Sequence, residues 1–153
     1  MPNAAESTLS LLRAGLRWTL VFGLVGIGVE LLLLGHYDDA WKVAPLVLIA
    51  LSIALLGWHV VSGGRAALRP LRWLMWLFIV SGVVGLWLHY RGNVEFELEM
   101  YPDLAGLALF AQAMTGATPS LAPGTMILLG VVGLLYSFRH PALSRADDVH
   151  HPS

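Results

Sequence analysis

Four long apolar segments separated by shorter polar ones dominate the pattern of this chain. They cover residues 16–35, 43–61, 71–88 and 121–138, and their only charged side chains are Arg17, Glu30 and Arg72. An α-helix rises about 1.5 Å per residue, so each segment can cross most or all of a hydrocarbon core about 30 Å thick. Because the apolar runs are continuous rather than alternating, we predict transmembrane helices and not the strands of a barrel.

The connection between the third and fourth segments, residues 89–120, is the only one long enough to have structure of its own. Acidic and apolar residues alternate from 93 to 100, and this period of two predicts an extended strand with two different faces. The acidic face would carry Glu95, Glu97 and Glu99, and the apolar face Phe96, Leu98 and Met100.

A short helix over residues 102–115 is predicted to follow this strand. Pro102 and Asp103 are typical of a first helical turn, and Gly116 is a typical stop. At roughly 20 Å the helix is too short to cross a membrane. It could lie at the interface, re-enter the membrane or dock on a partner, and its apolar side carries Leu107, Phe110 and Met114.

Composition restricts the class of protein. Hydrophobic residues make up 57% of the 153 and charged residues 12%, too few charges to cover the surface of a soluble domain. A net charge of −1 gives no electrostatic footprint for nucleic acid, and the absence of cysteine excludes disulfides and thiolate chemistry. We therefore expect an all-α membrane protein: a four-helix transmembrane bundle with a short interfacial or re-entrant helix between helices 3 and 4.

The distribution of basic residues predicts the orientation. Seven of the nine Lys and Arg residues lie in three places: around the start of the first segment, around the connection between segments 2 and 3, and after segment 4. By the positive-inside rule, both termini are expected in the cytoplasm of a bacterium, with the chain multi-pass in its inner membrane. One domain, residues 1–140, would precede a polar cytoplasmic tail, residues 141–153, and the first segment is expected to be an uncleaved helix.

Glu30 is the candidate intramembrane acid, about five residues from the outer end of the first segment. A charge in the membrane is costly, and such acids are often functional. Glu30 could couple transport to an ion, or it could be a structural carboxyl paired with Arg91 or His89. Arg65, Arg69 and Arg72 at the cytoplasmic side are candidates for binding lipid headgroups or, alternatively, a simple stop-transfer anchor.

Histidines and carboxylates are the remaining candidate ligands. His36 and His89 fall at the outer boundary and His59 and His140 at the inner one, an arrangement in which paired imidazoles could ligate haem, although no cofactor is the leading expectation. Carboxylates suit hard cations. The candidate metal ligands are Glu95, Glu97, Glu99 and Asp103.

No catalytic or nucleotide-binding motif accompanies these residues, so three classes of function stay open. The leading expectation is a non-catalytic subunit or accessory factor of a membrane complex, which uses the outer segment against a membrane-protein partner or a second copy. The alternatives are a small ion-coupled transporter that uses Glu30 and a redox protein that binds haem or quinone. In each case the lipid bilayer is the surroundings, and nucleic acid is not a partner.

Overall fold

Helices form nearly all of the chain that the structure describes. The computed structural model describes residues 4–35, 40–63, 65–116 and 121–144. The all-α class predicted from the sequence is confirmed. The helices in chain order are α1 (Ala4–Leu33), α2 (Ala40–Ser62), α3 (Arg65–Met100), α4 (Gly106–Thr115), α5 (Leu121–Ser137) and α6 (Pro141–Ser144).

Three of these helices are long and apolar enough to cross a membrane, namely α1, α2 and α3. The fourth apolar segment forms α5, which is also apolar but has only 17 residues. Large apolar side chains such as Phe22, Val61 and Trp73 are exposed on the outside of the helices. Exposing this much apolar surface to water would cost free energy, so the outward faces of the helices are those expected of a membrane protein.

Two helices extend further than their apolar segments indicate. α1 begins at Ala4 rather than near residue 16, because residues 4–12 contain good helix formers and Glu6 lies in the first turn, where the helix dipole favours an acid. α3 begins at Arg65, so Pro70 lies inside the helix and not at its start. Gly35 follows α1 with φ +64°, a backbone conformation that glycine adopts readily and that ends helices.

The strand predicted over residues 93–100 is wrong. These residues are the last two turns of α3, a single helix of 36 residues, about 54 Å long. A helix that has already formed gains one hydrogen bond for each added residue, and Glu, Leu and Met are good helix formers. An isolated strand would have no neighbour for its backbone groups, so the helix is favoured despite the alternating pattern.

The four long helices pack around a common centre, each in contact with two neighbours. α1 contacts α2 and α5, and α3 also contacts α2 and α5. Fully buried apolar side chains from α1 and α3 meet in the middle, and α2 and α5 add further buried residues such as Leu56 and Leu129. The fully buried set in the centre is Leu20, Leu24, Leu68, Leu71, Met75 and Phe78.

Glycines let α3 and α5 approach each other closely along their whole contact. A Cβ atom on Gly82 of α3 would lie 2.6 Å from the carbonyl oxygen of Pro123 in α5. In the other direction, a Cβ atom on Gly130 of α5 would lie 2.7 Å from the carbonyl oxygen of Met75 in α3. Each helix therefore offers a glycine at the place where the partner backbone comes nearest, which is how membrane helices pack without a hydrophobic driving force.

This packing predicts the effect of adding one methyl group. Gly82→Ala and Gly130→Ala should each destabilise the protein by about 1–3 kcal/mol, because the neighbour is backbone and cannot rotate away. Gly26→Ala in α1 is the matched control, since no described atom lies within 4 Å of the added carbon. Thermal unfolding in detergent measures the difference. Equal unfolding temperatures for all three variants would contradict the close approach of α3 and α5.

Candidate functional site

The two ends of the helix assembly carry the candidate chemistry, and we name them by their residues. The hairpin end is formed by residues 89–116, which are the end of α3 and the whole of α4. The arginine end is formed by Arg13 and Arg17 of α1, His59 of α2, and the last turn of α5 with Arg139 and His140.

The hairpin end projects along α3 beyond the start of α5. Gly82 and Gly85 of α3 contact Pro123 near the start of α5, so residues 86–100, about 22 Å of helix, extend past it. α4 packs on this extension of α3. The short helix predicted between helices 3 and 4 therefore exists, but it begins at Gly106, four residues later than predicted. It ends at Thr115, directly before Gly116, as predicted.

Asn93 fixes α4 to α3. Its side chain is 3% exposed, and its Nδ2 donates a hydrogen bond to the carbonyl oxygen of Ala113 at 2.9 Å. That carbonyl is among the last four of α4, which have no partner within their own helix. Asn93 thus caps α4 from a neighbouring helix, and Gly116 packs directly against the Asn93 side chain. The rings of Tyr90 and Phe110 add a contact with centroids 5.9 Å apart.

The apolar stripe of α4 stays largely exposed, although one edge of it touches Tyr90 of α3 through Phe110. Leu107, Phe110 and Met114 are all exposed, and Leu107 is 86% exposed. On the α3 extension, Glu95 and Glu99 are exposed and one helical turn apart, while Glu97 is only half-exposed. The helix therefore separates carboxylates that a strand would have placed on one face.

The candidate metal ligands do not converge. No group of three or more His, Asp or Glu side chains that could hold a metal ion is found within the described ranges. Arg91 pairs with Glu95, with the Nη2 and Oε1 atoms 3.4 Å apart, and both side chains are largely exposed. Such an exposed pair contributes little to stability.

Glu30 lies in the last turn of α1, on its exposed side rather than toward the core. The suggested partner Arg91 is engaged with Glu95 instead, and α1 lies next to α2 and α5. His36 lies outside the described residues, and His89 is half-buried on α3. Of the candidate lipid-binding arginines, Arg69 and Arg72 are exposed at the start of α3. Arg65 is the first residue of that helix.

Two of the four candidate histidines meet at the arginine end. The rings of His59 and His140 contact edge to face with centroids 5.1 Å apart, and Tyr136 is 6.2 Å from His59 and 5.5 Å from His140. His59 and Tyr136 are buried. Haem ligation by this pair would require the two imidazoles to separate, because edge-to-face contact leaves no room for a flat macrocycle between them.

A sharp turn places His140 in this cluster. Arg139 has φ +45°, which is uncommon for a residue other than glycine, and it turns the chain back after α5. The Nη2 of Arg13 donates a hydrogen bond to the Arg139 carbonyl oxygen at 3.2 Å, which ties α1 to this turn. The His140 Nδ1 accepts a hydrogen bond from the Ala142 backbone N at 3.2 Å, so the neutral ring carries its hydrogen on Nε2.

Sequence reasoning missed the tertiary role of Asn93 and the meeting of Arg13, Tyr136 and His140. The sequence did contain a signal for the meeting of Arg13, Tyr136 and His140. These residues fall at the same end of neighbouring predicted transmembrane segments, so they are expected at the same height in the bundle. For Asn93, a lone amide in an otherwise charged and apolar stretch was the only indication.

The surroundings of His140 predict a pH dependence of stability. Burial, the charge of nearby His59 and that of Arg13 lower the pKa of His140 from 6.5 to about 4. Between these values the unfolded chain binds a proton that the folded protein does not. Stability should therefore be full above about pH 7 and fall as the pH drops toward 4.

The matched variant is His140→Asn, because asparagine can still accept a hydrogen bond from Ala142 but does not titrate. Unfolding temperatures at pH 7 and pH 5 should differ less for His140→Asn than for the wild type. The same drop in both proteins would show that His140 does not contribute.

Comparison with protein-family models, curated proteins and solved structures finds no match to this chain.

Proposed function

We propose that the protein spans a bacterial inner membrane as a four-helix bundle made of α1, α2, α3 and α5. Three of these helices are long and apolar enough to span. The support for including α5 is its position, since it packs against both α1 and α3 and contributes Met126 and Leu129 to the shared core. In this arrangement α4 is an interfacial helix, because it docks on α3 beyond the start of α5.

We propose that the arginine end faces the cytoplasm, which puts both termini there. Charge supports this orientation. Arg13, Arg17 and Arg139 lie at this end, together with Arg69 and Arg72 at the start of α3. The hairpin end instead carries Glu95, Glu97, Glu99 and Asp103.

Reporter fusions test this orientation. A fluorescent protein fused to the C-terminus should fluoresce, and a periplasmic phosphatase fused there should be inactive. The same phosphatase inserted after residue 103, in the turn of the hairpin end, should be active. An active C-terminal phosphatase fusion would contradict the proposed arrangement.

The function that the geometry supports best is that of a non-catalytic subunit or accessory factor, which binds a membrane-protein partner through α4. One observation carries this proposal: α4 is anchored to α3 by a buried hydrogen bond, yet its apolar stripe of Leu107, Phe110 and Met114 is exposed. Apolar surface left in water costs about 25 cal/mol per Å², so a fixed and uncovered stripe is best explained by a surface that covers it.

The charges around the stripe indicate what kind of surface that is. Glu95, Glu99 and Asp103 are exposed on the same projection. Within the described ranges, the one ion pair among them is that of Glu95 with Arg91. A partner with an apolar patch and basic residues at its rim would complement both features. Ion-coupled transport through Glu30 has less support, because that carboxylate lies on the exposed side of α1.

Site-specific photo-crosslinking in cells tests the proposal. A photoreactive residue at position 107 or 110 should give one discrete adduct with a different protein, and the matched position Trp73, exposed at the other end of α3, should not. Asn93→Asp, which replaces the amide donor by a carboxylate at the C-terminal end of α4, should abolish the adduct at 107.

The other outcomes overturn the proposal. An adduct of twice the mass of the chain would identify a second copy as the occupant. Adducts with lipid alone would show that the stripe of α4 only rests on the membrane.

A further inference from the structure

The arginine end has an excess of positive charge that the described part of the chain does not balance. Arg13, Arg17 and Arg139 lie there with Arg69 and Arg72, and the only described acid on the same side is Glu6, about two turns before Arg13 on α1. None of the five arginines is in an ion pair among the described residues. Such an excess attracts an anion.

Arg13 and Arg17 are the two half-buried arginines of these five, whereas the other three are exposed. Arg13 and Arg17 lie one helical turn apart on the same side of α1, and both are half-buried against the end of α5. Arg13 uses one donor on the Arg139 carbonyl oxygen, and the Arg17 guanidinium lies 5.8 Å from the centre of the Trp18 ring. A guanidinium has five N–H donors, so both side chains retain donors for a further acceptor.

The neighbours of these arginines are hydrogen-bond donors as well. Tyr136 belongs to the same cluster, because its ring centroid lies 5.5 Å from that of His140, the residue after the Arg139 carbonyl that Arg13 binds. The Nε2–H of His140 is part of the same cluster, since Nδ1 is occupied by Ala142. A set of donors without a carboxylate suits a phosphate oxygen, which accepts several charge-assisted hydrogen bonds.

The position along the helices indicates where the phosphate comes from. The cluster lies at the end of the apolar part of α1, next to the exposed ring of Trp18, a residue typical of the membrane interface. Exposed apolar side chains continue from it along α1, at Phe22 and Val25, and along α5, at Leu135 and Val131. A phospholipid would fit both the charge at the end and the apolar surface beside it.

We propose that Arg13 and Arg17, together with the Tyr136 hydroxyl, bind the phosphodiester of an anionic phospholipid at the junction of α1 with the end of α5. This site differs from the headgroup site expected at Arg65, Arg69 and Arg72. Arg69 and Arg72 are exposed and contact no second element through a side-chain hydrogen bond or ion pair within the described ranges. The proposal does not depend on what α4 binds.

Lipid titration of the purified protein in a neutral detergent tests the site. Phosphatidylglycerol should raise the unfolding temperature of the wild type more than phosphatidylcholine does. Each arginine near an anionic lipid contributes about a fivefold gain in affinity, so Arg13→Gln/Arg17→Gln should bind phosphatidylglycerol about 25-fold more weakly. Arg69→Gln/Arg72→Gln removes the same charge from the same end and should lose less than about threefold.

Two further measurements distinguish a lipid phosphate from a free phosphate and separate loss of binding from loss of folding. If inorganic phosphate displaces the lipid and raises the unfolding temperature as much as the lipid does, the ligand is a free phosphate and the lipid assignment is wrong. Equal losses in the two double variants would mean unspecific attraction and overturn the site. Arg13→Lys/Arg17→Lys keeps the charge but loses the planar fork. It should fold like the wild type and show an intermediate loss, and unchanged affinity would also contradict the proposed geometry.

Discussion

The close approach of α3 and α5 determines the position of everything else in this protein. α5 has only 17 residues, and it can pack along a helix of 36 because glycines on both helices remove the side chains that would keep the backbones apart. The register of that contact puts Pro123 beside Gly82 and Gly85, which leaves the end of α3 free to receive α4. The same register brings Tyr136 and His140 to the level where α2 ends and α1 carries Arg17.

The two ends that result are chemically opposite. One presents carboxylates and an apolar stripe on a projection, and the other presents arginines around a buried aromatic cluster. Net charge is close to zero only because these two sets cancel. The proposed protein-binding surface and the proposed lipid-binding surface lie at these opposite ends, and the same charge difference is what supports the proposed orientation.

The all-α class and the three helices long and apolar enough to span could be predicted, because a membrane span needs a length and a polarity that a single sequence shows directly. The predicted strand over residues 93–100 failed because local alternation cannot reveal that the residues continue an existing helix. Contacts such as Asn93 with Ala113, or His59 with His140, join residues 20 and 81 positions apart. Their formation depends on helix register, which glycine spacing suggests but does not fix.

The short length of α5 has a consequence for the membrane around it. Seventeen residues rise about 26 Å, less than a hydrocarbon core of about 30 Å, so a bundle that contains α5 must make up the difference at its ends. In the proposed bundle, the long side chains of the arginines at one end can extend to the headgroups, which is how short helices are accommodated. At the other end α4 lies on α3 just past the start of α5. The two candidate binding surfaces therefore lie at the two ends of α5, the shortest of the four helices that pack around the core.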